Sequence, residues 1–375
     1  MTTTSKPTTT LPIISLSDWK SSKNNVSDDE TAQRDQAMRV CRVCHETGFF
    51  LLQDHGLEAF LDDLFRVTRR LFALPMSTKE AYMDKRKSPH FRGWEAVGSE
   101  YTNNRPDMRE QVDLWTEHES VADLAQANPK YLRLLGPNQW LPDDILPGYR
   151  QLLTKWFTQA EEVADQILEM LALGLDLDQS YFRQNVFRKQ QRMSLTKLIR
   201  YPPTPVGHAG VNAHHDTGFL TLLACETSPG LQVQQEDGSW LDVTPPTRHT
   251  LVVNLGEMLQ AMTGNYYVAT PHRVIVSQTQ QERYSIGYFH GPALDTPLTT
   301  VPLQERHRQA VQNSPRHATA GFMASRAETA AGVADMQSAY RAQTYGEQLW
   351  NYFRRSYPEN CKSFYPEDDD DDGAA

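Results

Sequence analysis

Cysteine is scarce in this chain: only Cys41, Cys44, Cys225 and Cys361 occur among 375 residues. So few exclude a disulfide-built scaffold and fit a reducing compartment. No apolar run approaches the roughly 18 residues of a membrane helix. The opening MTTTSKPTTT lacks the apolar stretch of a secretory signal, and it lacks the arginine of an organelle transit peptide. Residues 1–10 are expected to form a disordered leader, and the protein to be cytoplasmic. No basic stripe marks a nucleic-acid surface. The net charge of −10 is concentrated in Glu367 and Asp368 to Asp372, and such runs stay solvated. Residues 366–375 are therefore expected to be an acidic disordered tail. The partner expected is a small molecule, with no nucleic acid and no membrane, and the chain is expected to be a monomer.

Cys41, Cys44 and His45 form a CxxC followed by histidine, which is half of a zinc-site pattern. No second pair completes it, and the segment reads as helix. Packing on a helix face is the expected role.

Hydrophobic residues make up 39% and charged residues 22%, the composition of a folded globular chain. The pattern predicts a strand over LPIISL, a helix from about Asp29 to His45 stopped by Gly48, and a strand over GFFLLQ. Phe60, Leu64, Val67 and Leu71 recur at helical spacing before Pro75. A long helix is predicted from Tyr149 to Leu173, with Gly174 as its stop. From Met193 the character changes to short β-type runs: LTKLIRY, FLTLLAC, LQVQQ and WLDV around the Asp237-Gly238 turn, TLVVNL, YYVAT, RVIV and RYSIGYF. Closely spaced short strands suggest a sandwich or barrel, of which the jelly roll is one form. Helical pattern returns after about residue 305 and ends in EQLWNYFRR.

The β-rich segment holds His214-His215-Asp216, and His272 lies 56 residues beyond Asp216. His and Asp at i and i+2 on an extended segment project to one side. A third ligand has to come from another strand, and His272 opens RVIV. Two imidazoles and a carboxylate on one face of a metal leave the opposite positions free for a keto acid and O2. That is the facial triad of non-haem Fe(II) oxygenases. His215 would point the other way and is given no ligand role. Eleven residues after His272 comes Arg283-Tyr284-Ser285, whose Arg and Ser again share a face. A guanidinium beside a hydroxyl is a good receptor for a carboxylate. Tyr201, just before Pro202, can add a third hydrogen bond.

With these motifs in order, the chain resembles the isopenicillin N synthase-like superfamily of Fe(II)/2-oxoglutarate-dependent dioxygenases. LPIISLSDW, GFFLLQDHGL, LFALPMSTKEAY, FRGWEAVGSE, YPP, HHDTGFLTLL, VVNLGEML, ATPHRV and RYSIGYF follow in the family's order. The resemblance implies an α+β fold with a double-stranded β-helix (jelly roll) core and flanking N-terminal and C-terminal helices. It divides the chain into an N-terminal region (11–125), a helical connection (126–192), a jelly-roll core (193–295) and a C-terminal helical segment (296–365). It implies iron ligation by His214, Asp216 and His272, and 2-oxoglutarate binding by Arg283, Ser285 and Tyr201. The cofactors implied are Fe(II), 2-oxoglutarate and O2, with ascorbate as an accessory reductant. Two positions depart from the family: Ile199 stands where many members carry Asn, and Glu257 where many carry Asp.

The reaction implied is oxidation of a small molecule by hydroxylation, desaturation or ring closure, with release of succinate and CO2. An intact Asp216 argues against halogenation, which needs that carboxylate replaced. Three rivals remain: a same-fold oxidase that uses no 2-oxoglutarate, an ethylene-forming breakdown of 2-oxoglutarate, and a non-catalytic jelly-roll receptor. Candidate substrate contacts are Phe289 and His290 after the last strand, Trp94 in the FRGW block, and Tyr101.

Overall fold

The computed structural model describes residues 10–22, 29–188, 191–205, 207–276, 282–314, 316–317 and 343–366. Most of the expected leader and most of the expected acidic tail lie outside these residues.

Fourteen strands are present among them. In chain order they are β1 (Ile13–Ser15), β2 (Phe49–Gln53), β3 (Gly93–Glu95), β4 (Tyr101–Thr102), β5 (Arg105–Pro106), β6 (Glu110–Trp115) and β7 (Leu195–Tyr201). They continue as β8 (Val211–His214), β9 (Leu220–Cys225), β10 (Leu231–Gln234), β11 (Trp240–Asp242), β12 (Leu251–Leu255), β13 (His272–Val274) and β14 (Arg283–His290). The main sheet has eight strands in the order β1-β2-β12-β9-β14-β7-β6-β3, and a smaller sheet runs β11-β10-β13-β8. β4 and β5 form a separate hairpin.

Side-chain alternation along the main sheet sorts two cores. One face presents Ile199, Tyr201, Cys225, Val252 and Leu51, which cluster with Val211, Leu231, Val233 and Val274 of the small sheet. This is the space between the sheets. The other face presents Leu198, Leu222, Val253 and Ile286, which join the much larger core shared with the helices. The architecture is the expected jelly roll.

The helices are α1 (Leu16–Ser22), α2 (Asp29–Glu46), α3 (Glu58–Phe72), α4 (Met76–Met83), α5 (Tyr149–Gly174), α6 (Tyr181–Asn185), α7 (Glu257–Met262), α8 (Glu305–Gln312), α9 (Tyr345–Ser356) and α10 (Pro358–Phe364). Gly48 follows α2 in the left-handed conformation, where an added Cβ would sit 2.0 Å from the Val268 carbonyl oxygen. Gly174 ends α5 without positive φ; Asp176 takes the left-handed turn instead, at φ 58°. Gly174 is needed for close approach, since a Cβ there would lie 2.4 Å from Cys41 Cβ. Cys41 and Cys44 are buried free thiols at this helix–helix contact, the packing role expected of them. At α9 the Thr344 hydroxyl accepts from the Glu347 amide while the Glu347 carboxylate accepts in return, a capping box.

YYVAT does not form a strand. Val268 N–H donates to Cys44 and Ala269 N–H to the Gln260 side chain, so the segment is tied to α2 and α7 and not to a ladder. EQVDLW, with no clean apolar alternation, forms β6 inside the main sheet, buried at all six positions.

Candidate metal centre

His214 is the last residue of β8, and His272 the first of β13. The two are direct partners in the β8–β13 ladder. Asp216 follows two residues after β8 and turns back toward both rings. Its Oδ1 lies 3.7 Å from His214 Nε2 and 3.6 Å from His272 Nε2. One ligand atom from each of the three falls within 4.8 Å of the others, and this is the one such grouping among the described residues. Donors about 2 Å from a common ion would be spaced in this way.

Both imidazoles are oriented from behind. His214 Nδ1 faces the Asn212 carbonyl at 2.8 Å, and His272 Nδ1 faces the Thr270 carbonyl at 3.2 Å. A carbonyl can only accept, so each Nδ1 carries the proton and each Nε2 keeps its lone pair for a metal. Burial, and then the neighbouring His272, push His214 down to about 3, so the ring is neutral at ordinary pH. Burial works the other way on Asp216. His272, His214 and hydrogen bonds from Thr221 and Asn254 nevertheless hold its carboxyl below the usual range. Those two bonds, from Thr221 Oγ1 and Asn254 Nδ2 to Asp216 Oδ2, are each 2.6 Å. They leave Oδ1 turned toward the rings. Sequence reasoning missed both residues. A lone Asn in the apolar run TLVVNL was the available signal.

His215 turns aside, with Nδ1 3.6 Å from Glu257 Oε1. Glu257 opens α7, and its backbone N–H donates to the Asp216 carbonyl at 2.8 Å.

Arg283 and Ser285 lie on β14, on the face that looks between the sheets. Tyr201 is the cross-strand partner of Arg283, and the guanidinium stands 5.1 Å from its ring centre. Arg283 Nε and Nη1 and Ser285 Oγ are buried with no hydrogen-bond partner. Buried donors of this kind are costly unless a ligand satisfies them. A guanidinium with unsatisfied N–H groups beside a free hydroxyl fits the far carboxylate of a dicarboxylic keto acid.

Of the four candidate substrate contacts, one shares the face of this receptor. Phe289 points between the sheets, in the same cross-strand row as Thr221. His290, one residue on, points the opposite way. It is fully buried, stacked on Phe187 at 4.5 Å and 3.5 Å from Asp165 Oδ1. Trp94 is likewise on the helix side, where its indole N–H donates to Glu110 at 2.7 Å. Tyr101 is 64% exposed on the β4–β5 hairpin. The hairpin braces the metal strand by other residues: Asn103 Nδ2 donates to the Ala213 carbonyl at 2.7 Å. Trp94 and His290 thus lie away from the receptor face. Alternation along a strand puts neighbours on opposite faces, and the sequence did not reveal which face looks toward the His–Asp cluster.

Comparison with known proteins identifies the family. A family model described as "2OG-Fe(II) oxygenase superfamily" matches residues 184–292, and one described as "non-haem dioxygenase in morphine synthesis N-terminal" matches residues 11–143. The chain is 32% identical over 268 residues to the 2-oxoglutarate-dependent dioxygenase frbJ of Dothideomycetidae sp. (strain 11243), spanning 69% of this chain and 70% of that one. The chain belongs to the 2OG-Fe(II) oxygenase superfamily. As a member, it is an oxidoreductase whose cofactors are Fe(II), 2-oxoglutarate and O2. A 2-oxoglutarate-dependent dioxygenase of Didymella fabae is 29% identical over 304 residues, or 77% of this chain and 87% of that one. Among solved structures of similar fold is a full-length Neurospora crassa protein in complex with alpha-KG and thymine, with TM-score 0.67, 23% identity, and coverage of 81% of this chain and 93% of that one. No helix among the described residues is long and apolar enough to cross a membrane.

Proposed function

We propose that His214, Asp216 and His272 hold the iron, that Arg283 and Ser285 receive the distal carboxylate of 2-oxoglutarate beside Tyr201, and that the enzyme oxidises a small organic molecule. The observation that carries this reading is the pairing of two features on the facing sides of the two sheets. A three-donor cluster lies on the small sheet side, and an unsatisfied guanidinium–hydroxyl pair lies on the main sheet. Held by these residues, iron and 2-oxoglutarate would supply O2 activation coupled to decarboxylation of the keto acid, with succinate and CO2 as its products.

The protein's part is positioning and exclusion of water. Neutral His214 and ionised Asp216 supply donors without first losing a proton at neutral pH. Thr221 and Asn254 occupy one carboxylate oxygen, which favours binding through the other. Arg283 neutralises the far carboxylate, and its burial strengthens that attraction relative to water. Phe289 adds an apolar side chain to the same face, in the Thr221 row. Hydroxylation, desaturation and ring closure all remain products of the same hydrogen abstraction. A small-molecule substrate is supported by thymine in the solved Neurospora relative.

The test is succinate formation by purified protein supplied with Fe(II), 2-oxoglutarate and a metabolite panel. Succinate that depends on iron and on 2-oxoglutarate is expected. Oxygen uptake that proceeds equally without 2-oxoglutarate would instead assign Arg283 to the substrate's own carboxylate.

A further inference from the structure

The main sheet continues past the Arg283–Tyr201 pair onto β6 and β3, and its inward face there is charged. The ladder register places Ser285, Ile199, Gln111 and Glu95 in one row, and Gly287, Lys197, Asp113 and Gly93 in the next. Rows along the strand are set by the two-residue pleat, and neighbouring strands lie about 4.8 Å apart. Gln111 therefore stands roughly 10 Å across the sheet from Ser285, on the same face.

The charges form an alternating chain. Glu95 meets Lys85, Lys85 meets Asp113 at 2.7 Å, Asp113 meets Lys197 at 3.3 Å, Lys197 meets Glu100 at 3.3 Å, Glu100 meets Arg109, and Arg109 meets Asp107 at 3.4 Å. It begins and ends on a carboxylate, so four acids face three bases. Two acceptor atoms are left over within it. Gln111 donates its amide to Glu95 Oε2 at 2.8 Å, which fixes the side chain and leaves Oε1 bare. Asp113 spends Oδ2 on both lysines and leaves Oδ1 bare. Gln111 is 1% exposed and Asp113 3% exposed, so bulk water does not satisfy these atoms. Ile199, between Gln111 and Ser285, offers no polar group. Gly287 leaves the row open between Leu223 and Lys197, and a Cβ there would meet the Phe289 ring at 2.9 Å.

Resting on the iron and 2-oxoglutarate assignment above, we propose that this wall recognises the primary substrate, and that the substrate presents N–H donors to Asp113 Oδ1 and Gln111 Oε1. The chemistry excludes the opposite polarity. A carboxylate would meet two bare acceptors and a cluster with one negative charge in excess. An amine or amide N–H supplies what both atoms lack, and leaving a buried acceptor unpaired costs enough to discriminate by about tenfold or more.

The experiment uses full-length protein loaded with Fe(II) and 2-oxoglutarate under nitrogen, titrated calorimetrically with chain-matched probes. Hexylamine and hexanamide carry donors; methyl hexanoate and hexanoate carry none. Both donor probes should bind about tenfold or more tighter than the other two. Gln111→Met should reduce that preference by about tenfold, and Asp113→Asn should reduce it more for the amine than for the amide. The wild-type ranking decides the matter even if a variant fails to fold. Equal or tighter binding of hexanoate or methyl hexanoate, no binding of either donor probe, or a preference unchanged in folded Gln111→Met would overturn the proposal. The two readings fail separately. Absence of iron- and 2-oxoglutarate-dependent succinate in air sinks the cofactor assignment, whereas a wrong probe ranking with intact succinate formation sinks only this wall.

Discussion

His214 and His272 face each other directly across the β8–β13 ladder, with ring centres 4.3 Å apart. Neither ring reaches the other's position from its own strand, so loss of either leaves the metal with a two-donor site. His272→Ala should weaken Fe(II) binding by more than about 100-fold, because removing an outer contact alone costs 10- to 100-fold. The far-ultraviolet circular dichroism should stay that of the folded protein, since the main core lies on the other face of the sheet. His215→Ala should keep its iron, its ring being turned to Glu257. Equal iron loss in His215→Ala and His214→Ala would refute the ligand assignment.

Thr221 and Asn254 reach Asp216 from the opposite sheet. Thr221→Val and Asn254→Leu each remove one 2.6 Å bond to Oδ2 while keeping shape and burial. Each should weaken iron by about 10- to 100-fold without moving the affinity for 2-oxoglutarate measured on metal-saturated protein. Equilibrium dialysis of Fe(II) checks the first part; wild-type affinity in both variants would show that the carboxylate orients itself.

Arg283→Gln should raise the apparent KM for 2-oxoglutarate by about ten- to several-hundred-fold, the worth of a buried charged hydrogen-bond pair. Iron affinity should change little. Ser285→Ala should act in the same direction but more weakly, because it deletes one neutral donor. Titration of 2-oxoglutarate at saturating iron, read as succinate, measures both. An unchanged titration in Arg283→Gln would place the far carboxylate elsewhere.

His45 and His317 stack at 4.1 Å where the segment after α8 docks on α2. Burial holds both imidazoles below their ordinary value of 6.5, His317 at about 4. Above pH 6.5 the folded and unfolded rings are both neutral, and the pair is indifferent to pH. As pH falls below that value the unfolded chain takes up protons first, so stability is lost between pH 6.5 and about 4. His317→Gln cannot titrate and keeps a donor for the His45 carbonyl. Its urea midpoint should fall less steeply over that interval than the wild-type midpoint does. Parallel curves would show that the acid sensitivity originates elsewhere.

The sequence by itself pointed to the candidate residues of the centre. A two-residue period puts Arg283 with Ser285 on one face of β14, and the short His214-His215-Asp216 spacing keeps Asp216 near His214 although β8 ends at His214. It also determined most element positions, because α3, α5, β7 and β14 carry their own periodicity and punctuation. Only the tertiary structure decided which face of each strand looks toward the His214–Asp216–His272 cluster. Trp94 and His290 turned to the helix side for that reason, although Phe289 lies next to His290 in the chain. It also decided every relation that crosses strands: Thr221 and Asn254 on Asp216, and the charged chain joining residues from Lys85 to Lys197. EQVDLW carries too little alternation to announce itself as a strand. Its place between β7 and β3 is set by ladder pairing with distant segments, and pairing partners are a property of the folded sheet and not of any local stretch of chain.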